Sequence, residues 1–187
     1  MQELDLNICG IDEAGRGALA GPLVVAGCVL LDDIEWIDDS KKLSAKKREA
    51  LENQIKAHSK YLIIYFSNQD IDSFGISRCM RLALSAFKSY FRDYDLVFDG
   101  KADYASGIRT IIQADGKIKQ VAAASILAKV TRDRLMILYD KIYPQYDYAK
   151  HKGYGTKEHI SLIKQHGYGE LGRKSFVIKC EDLGLFS

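Results

Sequence analysis

The chain has 187 residues, 47% hydrophobic and 28% charged, enough to bury a sizeable core and unlike the composition of a disordered or fibrous protein. No apolar run approaches the roughly 20 residues of a membrane-spanning helix, and the acidic start Met1-Gln2-Glu3-Leu4-Asp5 lacks the regions of a signal peptide, so cytoplasmic residence without membrane contact is expected. A net charge of +2 neither demands nor excludes a polyanionic partner.

Asn7 to Ile11 and Pro22 to Leu31 are strand-like apolar runs, and the glycines between them suit a turn joining antiparallel neighbours. Ser44 is placed to cap a charged helix that runs to about His58, and Tyr61 to Phe66 reads as a third strand. Ile76, Cys79, Met80, Ala83, Phe87, Tyr90 and Phe91 recur at helical spacing and form one apolar stripe. Asp95 to Gly100 and Arg109 to Ala114 are two further strands. A long helix follows from about Val121 to Tyr143, then a polar, aromatic loop to Gly155, then a helix from Lys157 to His166. The order predicts one α/β domain over residues 1–187, a mixed sheet flanked by helices with a helical C-terminal part from about 144.

The four cysteines (Cys9, Cys28, Cys79 and Cys180) are scattered, so buried free thiols are expected rather than disulfides or zinc ligands. His159 and His166 lie seven apart, a spacing that suggests a surface position. Lys41, Lys42, Lys46, Lys47 and Arg48 form one basic block, and Lys150, His151 and Lys152 another. Either block is compatible with a solvated face or with phosphate contact.

Asp12, Asp99 and Asp115 each fall at or near the end of an apolar strand, and Glu13 follows the first. Charge at a buried strand end is unfavourable unless paired or bound to a metal, and oxygen ligands of this kind suit Mg²⁺ or Mn²⁺. The same aspartates could merely start turns. Gly15 to Gly21 is not a dinucleotide loop, because Pro22 and a β-branched run follow where a helix would have to begin. A tight turn with close backbone access remains, carrying Arg16 beside the acids; the glycines could equally serve only to shape a hairpin.

These segments together resemble a family. Gly10-Ile11-Asp12-Glu13-Ala14-Gly15-Arg16-Gly17 is similar to the opening signature of ribonuclease HII. Asp39-Ser40-Lys41-Lys42-Leu43, Phe98-Asp99-Gly100, Asp115 with Ala122 to Asp133, and His151-Lys152-Gly153-Tyr154 resemble its later motifs, in family order. The related ribonuclease HIII usually carries lysine where this chain has Arg16, and has an added N-terminal domain.

The resemblance implies a ribonuclease H-like fold and an Asp12, Glu13, Asp99, Asp115 centre holding two divalent ions, Mg²⁺ or Mn²⁺. It implies cleavage of the RNA strand of RNA–DNA hybrids and 5′ of ribonucleotides embedded in duplex DNA, leaving 3′-hydroxyl and 5′-phosphate ends. Gly15, Arg16 and Gly17 would read the 2′-hydroxyl, and Tyr154 would stack on the next sugar. Lys41, Lys42, Lys129, Arg132 and Lys152 are candidate phosphate contacts, with a structural role equally open for Lys129 and Arg132. Asp133 is expected to pair locally.

Another nuclease of the same superfold, a non-catalytic hybrid-binding module and a scaffolding domain are the rivals. The first would lack the glycine turn and Tyr154, the second at least one acid, and the third would have no reason to hold the set. A monomer is expected. The tail Asp182-Leu183-Gly184-Leu185-Phe186 resembles sliding-clamp-binding peptides without their leading glutamine; Leu183, Leu185 and Phe186 would either fill a clamp groove or pack on this chain's own core.

Overall fold

The computed structural model describes residues 5–34 and 45–177. Its strands are β1 (Ile8–Ala14), β2 (Leu23–Leu30), β3 (Ser59–Phe66), β4 (Asp95–Asp99) and β5 (Arg109–Ile111); its helices are α1 (Ala45–Ala57), α2 (Asn68–Phe74), α3 (Ile76–Tyr90), α4 (Lys119–Ile142), α5 (Tyr148–His151) and α6 (Lys157–His166). The sheet runs β3-β2-β1-β4-β5. β1, β2 and β3 form an antiparallel meander, and β4 joins β1, and β5 joins β4, in parallel. This is the mixed sheet that the sequence led us to expect.

Strand β2 is buried along its whole length because both of its faces are covered. Val24, Ala26, Cys28 and Leu30 pack with Leu51 and Ile55 of α1 and with the small residues Ala122, Ala123 and Ala124 of α4. Leu23, Val25 and Val29 point the other way, onto the α3 stripe of Cys79, Met80, Ala83, Leu84 and Phe87. Each fully buried large side chain of this kind contributes about 1.5–3 kcal/mol. The alanines matter for a different reason: they let α4 lie close against β1 and β2, which places its N-terminal half behind the strand that carries Asp12.

Three elements differ from expectation. Helix α2 is short but firmly capped: the Ser67 hydroxyl accepts from the Asp70 N–H, and the Asp70 carboxylate accepts from the Ser67 N–H. Strand β5 stops at Ile111 because Gln113 adopts a left-handed conformation, and Asp115 lies in the 3₁₀ turn Ala114–Gly116 instead of at a strand end. The segment after α4 contains a 3₁₀ turn, Pro144–Tyr146, and then α5, packed through Tyr146 and Tyr148.

Cys9, Cys28 and Cys79 are buried free thiols, and burial pushes the Cys28 thiol up to about 12. Cys180, the Ser44 cap and the C-terminal tail lie outside the described residues. No described helix is long and apolar enough to cross a membrane.

Candidate active site

Parallel pairing of β1 with β4 aligns Ile11 with Phe98, so the next residues, Asp12 within β1 and Asp99 at the end of β4, sit side by side. The Asp99 carboxylate then organises the third acid. Its two oxygens accept the N–H groups of Gln113 at 3.0 Å and Asp115 at 3.2 Å, folding the turn back toward the sheet. As a result one carboxylate oxygen from each of Asp12, Asp99 and Asp115 lies within 4.8 Å of the others. Glu13 completes the group. All four acids line one cleft of about 480 Å³, together with Arg16 and Tyr104.

The cleft is electrostatically unfavourable as it stands. Burial, reinforced by Glu13, raises the Asp12 carboxyl to about 8. Burial also raises Glu13, to about 6, although Arg16 pulls it down with an ion pair at 3.2 Å. The other Glu13 oxygen, Oε2, is buried without a hydrogen-bond partner. An orphaned carboxylate oxygen beside three clustered acids suits a divalent cation, since hard oxygen donors are what such ions take and a cation offsets both burial and repulsion.

The glycine turn is held from behind by two arginines with fully buried side chains. Arg132 donates through Nε to the Pro22 carbonyl, through Nη2 to Ala20 and through Nη1 to Lys152, at 2.8–3.0 Å. Arg173 donates to the carbonyls of Gly21 at 2.9 Å and Arg16 at 3.2 Å, and its N–H bonds Leu19. Gly15 has φ +90°, and a Cβ there would lie 2.0 Å from Arg132 Nε, so this glycine is required by the fold. Gly17 differs. A Cβ added there would meet nothing, so packing does not explain the residue and an approaching ligand could.

Tyr154 stands outside the acid cleft but is joined to the turn through Arg132, whose guanidinium lies 5.0 Å from its ring centre; Lys129 Nζ lies at 5.7 Å. Two stacked histidines set its backbone. His151 Nδ1 accepts the Gly153 N–H at 3.1 Å, and His159 Nδ1 lies 3.0 Å from the Tyr154 carbonyl, with the rings 4.2 Å apart. His159 is fully buried, which corrects its expected surface position, and burial followed by the neighbouring His151 lowers it to about 4.

For Arg132 the geometry favours the structural alternative. With no exposed surface and three carbonyl partners it is a scaffold element and has no reach to a phosphate. Lys129 pairs with Asp133 at 2.7 Å, and Lys152 donates to the Ala149 carbonyl. Lys41 and Lys42 lie outside the described residues. Tyr104, one of 11 tyrosines, carries no signal of its own in the sequence, and Arg173 is marked only as the start of Arg173-Lys174-Ser175-Phe176, where the family resemblance ends.

The family model described as Ribonuclease HII matches residues 9–179. The chain belongs to the ribonuclease HII family. Ribonuclease HII of Campylobacter concisus is 59% identical to it over 173 residues, covering 92% of this chain and 94% of that one. Ribonuclease HII of Archaeoglobus fulgidus, solved in complex with PCNA, superposes with a TM-score of 0.77 at 26% identity, covering 89% and 92%. A ribonuclease HIII, Bst-RNase HIII in complex with Mn²⁺, gives 0.70 at 18% identity and shares the fold; 97% of this chain covers only 70% of that longer one. As a member of the ribonuclease HII family the chain is an endoribonuclease, cleaving RNA in RNA–DNA hybrids and at embedded ribonucleotides, and its acid cluster is a divalent-metal site.

Proposed function

We propose that Asp12, Glu13, Asp99 and Asp115 hold two divalent ions, Mg²⁺ or Mn²⁺, and that the cut falls 5′ of the ribonucleotide, leaving 3′-hydroxyl and 5′-phosphate ends. The observation that carries this reading is the convergence of three carboxylates within 4.8 Å next to the unpartnered Glu13 Oε2. The chemistry that two such ions supply when bound is activation of water and charge neutralisation at the departing oxygen. The remaining work belongs to the chain. Asp99 holds the Asp115 turn in place while offering its own oxygens to the cleft. Gly15, Arg16 and Gly17 present backbone and guanidinium to the 2′-hydroxyl, which distinguishes RNA from DNA at that sugar. Tyr154 stacks on the following deoxyribose, and Lys41, Lys42, Lys129 and Lys152 meet phosphates.

The test is a DNA duplex carrying one ribonucleotide, incubated with and without Mg²⁺, with both product ends mapped. A cut on the 3′ side of the ribonucleotide, or cutting in EDTA, contradicts the reading. We also propose a clamp contact through Leu183, Leu185 and Phe186. The complex of the archaeal relative with PCNA supports this, and deleting residues 182–187 tests it by clamp affinity.

A further inference from the structure

The loop between β4 and β5 contains two consecutive residues in the left-handed region that are not glycine, Tyr104 (φ 50°) and Ala105 (φ 60°). Left-handed backbone is unfavourable for residues bearing a Cβ, and it persists where the surroundings enforce it, frequently at functional sites. Here the enforcement is visible. The Asp103 carboxylate accepts the N–H groups of Ala105 at 3.1 Å and Gly107 at 3.0 Å, and Lys88 reaches across to the Ser106 carbonyl at 3.1 Å. The ring of Tyr104 is half-buried against Phe98, with centroids 6.3 Å apart, and the residue lines the acid cleft.

That hydroxyl accepts a hydrogen bond from Arg16 Nη1 at 3.2 Å, and the same nitrogen faces Glu13 Oε1 at 3.2 Å. One nitrogen of the guanidinium is thus tied to both walls of the cleft, the glycine-turn side through Glu13 and the β4–β5 side through Tyr104. A planar fork held at Nη1 has its remaining donors set in direction, whereas a fork held by Glu13 alone can swing. Nearly half of the Arg16 side chain is exposed, so without a second tether it has room to move.

We infer that Tyr104 is a positioning residue for ribonucleotide selection, setting the direction in which Arg16 presents its guanidinium to the 2′-hydroxyl. The inference rests on the reading that Arg16 takes part in that selection. It explains why a strained loop is retained at the rim of the cleft, opposite the glycine turn.

The experiment compares affinities in EDTA, where nothing is cut, for a duplex with one ribonucleotide and for the same duplex in DNA alone. The proteins are wild type, Tyr104→Phe, Arg16→Ala and the double variant. Tyr104→Phe keeps the ring and its packing and removes only the hydroxyl. Its expected effect is about a fivefold loss of preference for the ribonucleotide duplex, the scale of one ordinary hydrogen bond. Affinity for the DNA duplex and the melting temperature should not change. In the Arg16→Ala background Tyr104→Phe should add nothing, because its effect is transmitted through Arg16. A Tyr104→Phe loss that persists without Arg16 overturns the inference and makes Tyr104 a direct contact. Preference lost in Arg16→Ala but intact in Tyr104→Phe overturns it while sparing the role of Arg16. Preference intact in Arg16→Ala removes Arg16 itself from selection, and the inference with it.

Discussion

The Gly153 carbonyl accepts a hydrogen bond from the Leu19 N–H at 2.8 Å, joining the loop of Tyr154 directly to the glycine turn. The Ala20 N–H shares that acceptor at 3.2 Å, so the two segments that would read the ribonucleotide and its neighbour are tied to each other through the backbone. A Cβ at position 153 would lie 2.4 Å from the Ala20 carbonyl oxygen, on a backbone with φ +77°. Gly153→Ala should therefore lower the melting temperature by about 4–8 °C, as expected for roughly 2 kcal/mol of strain in a chain of this length. It should also slow cleavage at a single ribonucleotide about tenfold or more, since an ångström of misplacement is costly to positioning. Calorimetry and a single-turnover assay check both.

Asp12→Asn should abolish cleavage and stabilise the metal-free protein in a pH-dependent manner. The folded Asp12 carboxyl titrates near 8, against 3.8 for an unperturbed group. Between those values the native state holds a proton that the unfolded state has lost, so wild-type stability falls as pH rises through that window. The asparagine is exempt. Its advantage in melting temperature, measured in EDTA, should be larger at pH 8 than at pH 5. Asp99→Asn makes the contrast: both Asp99 oxygens accept backbone N–H groups, so it should lose stability as well as activity.

Arg16→Ala should raise the pKa of Glu13. Burial holds Glu13 near 6 and Arg16 is what opposes it, so removing the guanidinium leaves the carboxylate with the burial penalty and the repulsion from Asp99. Carboxyl-carbon NMR in EDTA should show a midpoint near 6 in wild type and a higher one in the variant; an unmoved midpoint would mean that the ion pair does not persist in solution.

Tyr154→Ala should slow cleavage at a single embedded ribonucleotide strongly, and more than Arg16→Ala does, because much of the turn's reading comes from its backbone. The comparison is the rate on a one-ribonucleotide duplex against an all-RNA hybrid, for wild type and variant. Equal rates for both proteins on both substrates would remove Tyr154 from the site.

Much of this arrangement is legible in the residues. Apolar runs that end in Asp12 and Asp99 mark β1 and β4, and a stripe from Ile76 to Phe91 marks α3, because these elements are specified by local pattern. Convergence of the acids is not local. It depends on β4 adding to β1 in parallel and on Asp99 drawing in the turn of Asp115, contacts between residues far apart in sequence. Burial of long polar side chains is equally invisible beforehand. Arg132 and Lys129 sit one turn apart on α4, yet one is a fully buried scaffold and the other remains partly exposed. His159 likewise shows no spacing signal, because its partner is a ring on another helix.

The clamp formed by Arg173 also bears on how the protein is made. A ribosome delivers the four acids by the time Asp115 has been added, long before the residues that hold the glycine turn in place. Leu19, Gly21 and Arg16 wait for Arg173, and Arg132 waits for the Lys152 carbonyl. A nascent chain therefore contains all four acids before it contains the donors that hold its glycine turn. The packing behind the glycine turn is thus finished by residues that are added late in synthesis, and the turn closes as the whole domain folds.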